Sequence, residues 1–410
     1  MDSKTNKSAG IRLTVKPKRV SAALVKTGIG AIVLLTVFTL GVNTGNGRIA
    51  VGQKSDTTGL PAQLNYSSVN DVYDALKKNY NGKLNESQIL DGLKHGIAEA
   101  TNDPYTEFFT AKEANTFKND LNNSFSGIGA ELGLDTDKNI TIISPIAGFP
   151  AEKAGLKAKD IIVSIDGKST QGMTVDKAVT LVRGKEGTTV KLEVVRDKTS
   201  PLTISIVRDT IQIPSVTTKT LDGNIGYIQI STFADDTSKL AREAADKFKA
   251  DGVKGIVLDL RNDPGGYLDS AIDVSSLWVP KGKLIVDERG TGGNDKQYAK
   301  GGNVLSDIPT VVLVNAGSAS SSEITAGALH DNKEATIIGE KSYGKGVVQQ
   351  LISFPDGSEL KVTVASWYRP NGQNIDHKGI TPDQIVKISD EDSKAGTDTQ
   401  LNAAQSFLSK

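Results

Sequence analysis

The first long apolar segment of the chain is 22–42, and a polar, glycine-rich stretch follows it at 43–62. A helix of these 21 residues is long enough for a hydrocarbon core of about 30 Å, with Lys26 reaching the interface. The pattern predicts a transmembrane signal-anchor at 22–42 and a linker at 43–62. A cleaved signal peptide is the main alternative, although no good small-x-small cleavage site follows the segment. A buried core helix is a second alternative.

Between residues 66 and 117, apolar side chains recur every three or four positions, which is the period of an amphipathic helix. The sequence Asn102-Asp103-Pro104 interrupts this pattern as a turn. We therefore expect a small helical N-terminal domain over 63–122.

The region 123–212 has a different pattern, in which short strands alternate with glycine turns. Two helical pieces interrupt the strands, at 150–155 and 174–183. This pattern predicts a small β-rich domain that contains two helices.

From 213 to 388, predicted strands alternate with predicted helices, which is typical of an α/β core. The helices are expected at 237–250, 267–277 and 320–329. Two strands joined by Pro-Asp-Gly-Ser predict a hairpin near the end of this region. A C-terminal tail follows at 389–410, with a candidate helix at 398–408.

The predicted fold class of the whole chain is therefore α+β multidomain. It combines a membrane helix, a small helical domain, a β-rich domain and an α/β core with a terminal β-hairpin.

Charge changes this picture at the N-terminus. Lys plus Arg and Asp plus Glu each number 48, so the formal net charge is zero, which argues against a nucleic-acid partner. The balance is uneven, because 1–27 carries seven basic residues and one acidic residue. A basic flank before a membrane segment predicts that 1–21 is cytoplasmic and that everything after residue 42 lies outside the cytoplasm.

The chain contains no cysteine and three histidines, His95, His330 and His377. Disulfides, iron–sulfur clusters, thiolate zinc sites and a cysteine nucleophile are thereby excluded, and imidazole metal sites are disfavoured. We expect neither a metal nor a cofactor.

A serine-rich stretch at 317–323 lies where a predicted buried strand turns into a helix. A serine such as Ser320 is a candidate nucleophile there, because the N–H groups at a helix N-terminus favour developing negative charge. The alternative is that the serine only caps the helix.

A nucleophilic serine needs a base. His330 lies at the far end of the same predicted helix, about 15 Å along its axis from Ser320. Lys345, between Gly344 and Gly346, is the remaining candidate. Burial would have to lower its pKa by about 3 units from about 10.4, and a solvated surface lysine is the alternative.

Two glycine features complete the candidate chemistry. The pair Gly265-Gly266 follows a predicted strand and is either a turn or half of an oxyanion hole. The run 339–345 matches the phosphate-binding pattern GxxxxGK. Gly346 replaces the serine or threonine that would hold magnesium, and a strand is expected next, so nucleotide binding is disfavoured.

Together these segments resemble the carboxyl-terminal processing proteases, also called tail-specific proteases. The similarity covers about 100–385, in the family's order, and GSAS-x-SE followed by GKG-x-VQ is its most specific part. The matching stretches are DPYTEFFT, FSGIGAEL, PAEKAGLKAKDIIVSIDG, IGYIQISTF, LDLRNDPGG, VNAGSASSSEITAGAL, GEKSYGKGVVQ and KGITPD.

The resemblance implies a role for each matching residue. Ser320 would be the nucleophile and Lys345 the general base, and Gln349 would orient the lysine amine. The oxyanion donors would be the N–H groups of Ser321 and Gly266. Asp331 matches a third group discussed in some members, but it shares the distance of His330, so we interpret it as structural support.

The region 123–212 resembles the family's PDZ domain. The backbone N–H groups of a short loop would receive a peptide carboxylate, and that loop consists of Gly127, Ile128, Gly129 and Ala130. One departure is Lys159, which stands where the motif usually has glycine. Lysine in a left-handed turn would cost about 1 kcal/mol or would force another turn.

The function that the resemblance implies is a membrane-anchored serine endopeptidase that cleaves proteins near their C-termini through an acyl-enzyme. The catalytic domain at 213–388 would lie outside the cytoplasm, and the partners would be proteins or peptides with free C-termini. A catalytically silent PDZ scaffold is the alternative, and a nucleoside triphosphatase is a third reading. The physiological substrate, any activating partner and a homo-oligomer stay open.

Overall fold

The structure is a computed structural model that describes residues 63–197 and 199–410. The predicted cytoplasmic segment, membrane segment and linker, at 1–21, 22–42 and 43–62, lie outside the described residues. Within the described ranges, no helix combines the length and the apolar character needed to cross a bilayer.

Two helices begin the described chain, α1 (Ser67–Asn79) and α2 (Glu86–Glu99). They are amphipathic as the sequence predicts, but α1 buries none of its residues and α2 buries only Ala98. A short strand, β1 (Glu107–Phe109), and a third helix, α3 (Ala111–Leu121), follow. The helical period therefore holds for most of this region, but it is interrupted at β1.

Strand β1 connects this N-terminal region to the rest of the molecule. It pairs antiparallel with the strand Glu359–Tyr368, so that Phe108 lies opposite Leu360. A three-residue strand carries no periodic signal of its own, and its partner is far away in sequence. The sequence pattern could therefore not predict it.

The next region forms a β-rich domain. Its sheet has the strand order β3-β4-β5-β7-β8, with β6 beside β5, and a separate pair joins β2 to β9. The sheet and two helices enclose a core of their own that includes Ile142, Ala178 and Leu192. The elements are β2 (Ser124–Gly127), β3 (Ala130–Leu134), β4 (Ile140–Pro145), α4 (Pro150–Lys153), β5 (Ile161–Ile165), β6 (Lys168–Ser169), α5 (Val175–Val182), β7 (Thr189–Val195), β8 (Leu202–Val207) and β9 (Asp209–Gln212).

Lys159 occupies the left-handed turn position that the sequence predicts for it. Its φ is 69°, and its N–H donates to the carbonyl oxygen of Ile142 at 2.8 Å. The lysine thus adopts a left-handed backbone conformation that glycine would adopt more easily.

The remaining chain builds an α/β core. Its central sheet has the order β10-β11-β12-β15-β16-β19 and is parallel from β11 to β19. The elements are β10 (Val216–Leu221), β11 (Ile225–Ile230), α6 (Thr237–Ala250), β12 (Gly255–Asp259), α7 (Leu268–Ser275), β13 (Leu284–Gly290), β14 (Gly293–Tyr298), β15 (Thr310–Val314), α8 (Ser321–Asp331), β16 (Thr336–Gly339), β17 (Val347–Ser353), β18 (Glu359–Tyr368), β19 (Gln384–Ile385), α9 (Asp390–Ala395) and α10 (Thr399–Leu408). The predicted helices at 237–250, 267–277 and 320–329 are confirmed as α6, α7 and α8.

Both faces of the central sheet are covered. Leu258 and Val312 point into a cluster that also contains residues of α6, α7 and α8. Their neighbours Val257 and Val311 point the other way and pack with Ala404 of α10. The predicted helix in the C-terminal tail therefore completes a three-layer core.

The predicted hairpin of β17 and β18 is confirmed, and it forms part of a second sheet with β1, β13 and β14. Gln349 lies opposite Thr363 in this hairpin, just after an irregularity in the strand register at Val348. A strand rather than a helix follows Lys345, as the sequence predicts.

The carboxyl ends of three parallel strands meet at one edge of the central sheet. Strands β12, β15 and β16 end there, and the loops that leave them contain Gly265-Gly266, the serine-rich turn and Lys345. This edge is where α/β folds place their functional groups.

Candidate active site

Ser320 stands at the sharp turn between β15 and α8. Its φ and ψ are 58° and −113°, a combination that costs energy for a residue with a side chain and is typical of a nucleophile held on a strained turn. The side chain is fully buried. Among the described residues no hydrogen bond within normal limits reaches its Oγ.

The glycine pair lies directly against this turn. A Cβ on Gly265 would approach the Cβ of Ser320 to 2.8 Å, and a Cβ on Gly266 would approach the carbonyl oxygen of Phe233 to 2.2 Å. Only glycine fits at either position. The side chain of Ser321 donates to the carbonyl oxygen of Gly266 at 3.0 Å, which fixes the two segments to each other.

Two backbone donors remain at this junction. Within the described part of the chain, no hydrogen bond uses the N–H of Gly266 or the N–H of Ser321. The resemblance to the family implies that both groups are oxyanion donors, and the structure places their segments in direct contact.

Glu323 joins the serine turn to the lysine loop. Its buried carboxylate accepts from the N–H groups of Ser320 at 2.9 Å, Gly344 at 2.7 Å and Lys345 at 2.9 Å, and from the hydroxyl of Ser342 at 2.6 Å. The same oxygen, Oε2, serves both Ser320 and Lys345. The carboxylate of Glu323 therefore holds the serine turn and the lysine loop next to each other through hydrogen bonds.

Lys345 is buried completely, unlike the solvated lysine that was the alternative interpretation. Burial and the nearby ammonium of Lys361 lower the pKa of its amine to about 7. The carboxylates of Glu323 and Asp103 act in the opposite direction. The amine lies 4.8 Å from the centre of the Tyr105 ring, which covers it.

Gln349 is also buried and anchored through its amide nitrogen. Nε2 donates to the hydroxyl of Thr363 at 3.2 Å. Its carbonyl oxygen, Oε1, is buried without a partner among the described residues. The residue therefore offers an unused acceptor inside the protein.

The other candidates lie elsewhere. Asp331 is at the opposite end of α8 from Ser320, where Arg369 donates to it. His330 is beside it and contacts Asp383 at 3.0 Å. The side chain of His377 is 83% exposed. Placement thus separates Asp331 and His330 from the serine turn, and a structural role for Asp331 stays a prediction.

The predicted carboxylate-binding loop lies between β2 and β3. It borders a cleft of about 200 Å³ that is lined by residues of β3 and α5, with Arg183 at one side. Gly129 has a φ of 72°, and a Cβ there would meet Phe149 at 2.5 Å. In the described chain the N–H groups of Ile128 and Gly129 donate to no other residue, which leaves them available to a ligand.

Three residues at the site had no role in the sequence interpretation: Glu323, Asp103 and Tyr105. Glu323 could have been found, because a glutamate three residues after a serine is the signal for a capping box. Asp103 and Tyr105 lie in a turn remote in sequence, so no local signal connects them to Lys345. Among the described residues, no group of three or more His, Asp or Glu could hold a metal ion.

Comparisons with known proteins identify the family of the chain. Residues 224–386 match the model of peptidase family S41, and 117–195 match that of the PDZ domain. The carboxy-terminal processing protease CtpA of Bacillus subtilis (strain 168) is 39% identical over 376 residues, which cover 89% of this chain and 80% of that protein.

Two further comparisons extend this result. A "Probable CtpA-like serine protease" of Staphylococcus haemolyticus (strain JCSC1435) is 40% identical over 362 residues, which cover 87% of this chain and 71% of that protein. A crystal structure of a candidate S41 protease from Bacteroides fragilis has a TM-score of 0.53 at 18% identity, covers 85% of this chain and 99% of that chain, and shows the shared fold. The chain therefore belongs to peptidase family S41, as a carboxyl-terminal processing serine protease that carries a PDZ domain.

Proposed function

We propose that Ser320 is the nucleophile and Lys345 the general base of this protease. The observation that carries the proposal is the shared carboxylate oxygen of Glu323, which brings a strained serine turn and a buried lysine loop to one place. A lysine whose pKa is lowered to about 7 is partly neutral at neutral pH, as a general base must be.

The mechanism follows from these groups. The neutral amine of Lys345 takes the proton of the Ser320 hydroxyl, and Oγ attacks the carbonyl carbon of a substrate peptide bond. The N–H groups of Gly266 and Ser321 stabilise the oxyanion. The lysine ammonium then protonates the leaving amine, and water, deprotonated by the same lysine, releases the acyl group. Gln349 orients the lysine amine throughout.

The PDZ domain supplies recognition in this proposal. Its loop of Gly127, Ile128, Gly129 and Ala130 carries no cationic side chain, so a substrate carboxylate would be held by backbone N–H groups. The cleft beside it offers an apolar wall for the last side chains. The Bacillus subtilis relative is a carboxy-terminal processing protease, which supports this choice over a silent scaffold.

We also propose that 22–42 anchors the protein in the cell membrane, with the catalytic domain outside the cytoplasm. The length of the apolar segment and its basic flank support this topology.

The test of the catalytic proposal is hydrolysis by single variants. Ser320→Ala and Lys345→Ala should each abolish peptide cleavage while the fold survives, because neither group can complete the acyl pathway alone. Gln349→Ala should lose less activity than these two variants, because the Gln349 side chain transfers no proton. The matched control is His330→Ala, which should keep most of its activity.

Two results would contradict these assignments. Activity above a tenth of the wild-type value in Lys345→Ala would rule out this base, and loss of turnover in folded His330→Ala would favour a histidine mechanism.

A further inference from the structure

The turn at 103–106, just before β1, packs against the hairpin strand β18. The hydroxyl of Thr106 donates to Oδ2 of Asp103 at 2.6 Å, and the N–H of Thr363 donates to the same hydroxyl at 3.2 Å. The side chain of Thr363 also acts on Asp103 and helps to lower the pKa of its carboxylate. Asp103 is thus connected to both threonines, one from each segment.

These contacts determine how the polar groups of the cluster are oriented. An ionised carboxylate can only accept, so Thr106 donates its proton to Asp103, and the charge of Asp103 draws the proton of the nearby Thr363 hydroxyl towards it. The lone pairs of the Thr363 hydroxyl are then left for Nε2 of Gln349, which donates to it at 3.2 Å. The amide of Gln349 is consequently held with its nitrogen towards Thr363 and its oxygen on the other side.

We infer that Asp103 is a positioning residue for the catalytic base, which it serves by holding Gln349, through Thr363, with the carbonyl oxygen presented to the amine of Lys345. This inference rests on the proposed pair of Ser320 and Lys345. The carbonyl oxygen of Gln349 would accept an N–H from the amine of Lys345. The lone pair of the amine nitrogen would then point at Ser320. If the amide of Gln349 were flipped, its N–H groups would face Lys345 instead. They would repel the ammonium form of the lysine and would donate to the lone pair of its neutral form.

The charge of Asp103 provides an independent signature. The charged groups that face Lys345 are Lys361 on β18, Glu323 on α8 and Asp103, while the phenol of Tyr105 stays neutral because burial raises its pKa to about 12. Asp103 favours the ammonium form of Lys345. Removing the charge of Asp103 should therefore lower the pKa of Lys345. Removing only the Thr363 hydroxyl, which connects Asp103 to Gln349, should leave that pKa unchanged.

The experiment separates the effect of the Asp103 charge from that of the Thr363 hydroxyl by comparing two variants of the full chain. Thr363→Val keeps the shape and the charge of the site and removes the hydroxyl, so kcat for a quenched peptide with a free apolar C-terminus should fall about tenfold or more. KM and the midpoint of the acid limb of the pH–rate profile should keep their wild-type values. Thr363→Ser should restore kcat. Asp103→Asn should lower kcat by a similar factor and also move the acid limb to lower pH.

The controls make the result decisive. Asp246→Asn removes a carboxylate from the exposed side of α6 and should change neither quantity. Wild-type kcat and acid limb in both Asp103→Asn and Thr363→Val, with Ser320→Ala inactive, would overturn the inference and leave the proposed function standing. Failure of Thr363→Ser to recover kcat would also overturn it. Hydrolysis by Ser320→Ala would overturn both.

Discussion

At the scale of single residues, burial and the charges around Lys345 determine the pKa of its amine. Burial and Lys361 lower the pKa of the amine to about 7, against the effect of Glu323 and Asp103. Burial also raises the pKa of Glu323 to about 7, against its hydrogen-bond donors. The two groups titrate in one range, so the pH dependence of the enzyme belongs to the coupled pair.

This balance predicts the direction of the pH profile. Only the neutral amine is a base, so kcat/KM should rise as pH increases through about 7. Lys361→Met removes a cation that lowers the pKa of Lys345 and keeps the buried part of its side chain, so the midpoint should move to higher pH. The measurement is the pH–rate profile, with Lys239→Met on the exposed surface of α6 as the control. An unmoved midpoint in Lys361→Met would contradict the electrostatic argument.

At the scale of elements, three loops at one edge of the central sheet must keep their mutual positions within a fraction of an ångström. The glycine pair after β12 is the tightest contact, because Gly266 has a φ of 146° and lies against the backbone of Phe233. The N–H of Gly266 can act as an oxyanion donor only while this approach is maintained.

A methyl group should therefore be far more harmful at Gly266 than at an open turn. In Gly266→Ala the new Cβ would lie 2.2 Å from the carbonyl oxygen of Phe233. The loop must shift, and hydrolysis should fall about a hundredfold or more. Gly282→Ala is the matched control, because φ there is 81° and no atom lies within 4 Å of the new Cβ. It should cost only about 1 kcal/mol of unfolding free energy and keep full activity.

Both variants would be compared by thermal unfolding and by labelling with a serine-reactive fluorophosphonate. Equal labelling and equal turnover in the two would show that the position of Gly266 does not matter for catalysis.

At the scale of the whole molecule, the functional parts come from separate regions of the chain. The α/β core holds the serine turn, the N-terminal region adds the turn that covers Lys345, and the PDZ domain has its own cleft. The proposed function assigns recognition and cleavage to different domains, so we expect that each can be altered alone.

A pair of peptides with one sequence tests recognition. The peptide with a free carboxylate should be cleaved about tenfold or more faster in kcat/KM than its amide, since backbone donors to a charged acceptor contribute roughly 1.5–3 kcal/mol. Gly129→Ala, whose Cβ would clash with Phe149, should reduce this preference, and Gly172→Ala, whose Cβ meets nothing, should keep it. Equal turnover of the two peptides by the wild-type enzyme would refute tail recognition.

The proposed topology is tested by fractionation. The chain should sediment with membranes, and a protease added outside intact cells should release a fragment that begins within 43–62. A soluble mature form that starts near Gly45 would show instead that the apolar segment is a cleaved signal.

The sequence by itself determined the order of the elements and the identity of the candidate groups. Helical and strand periods located α6, α7, α8 and the hairpin, because these depend on local patterns of apolar residues. Ser320, Lys345 and Gln349 were recognisable from motifs whose spacing is written in the chain. Only the tertiary structure decided what makes them a site: burial of the lysine, the shared carboxylate of Glu323, and the turn at Asp103 brought to the hairpin by β1. These contacts join segments that are far apart in sequence, and the pKa of a buried amine depends on all of its neighbours at once, so no local pattern could have predicted them.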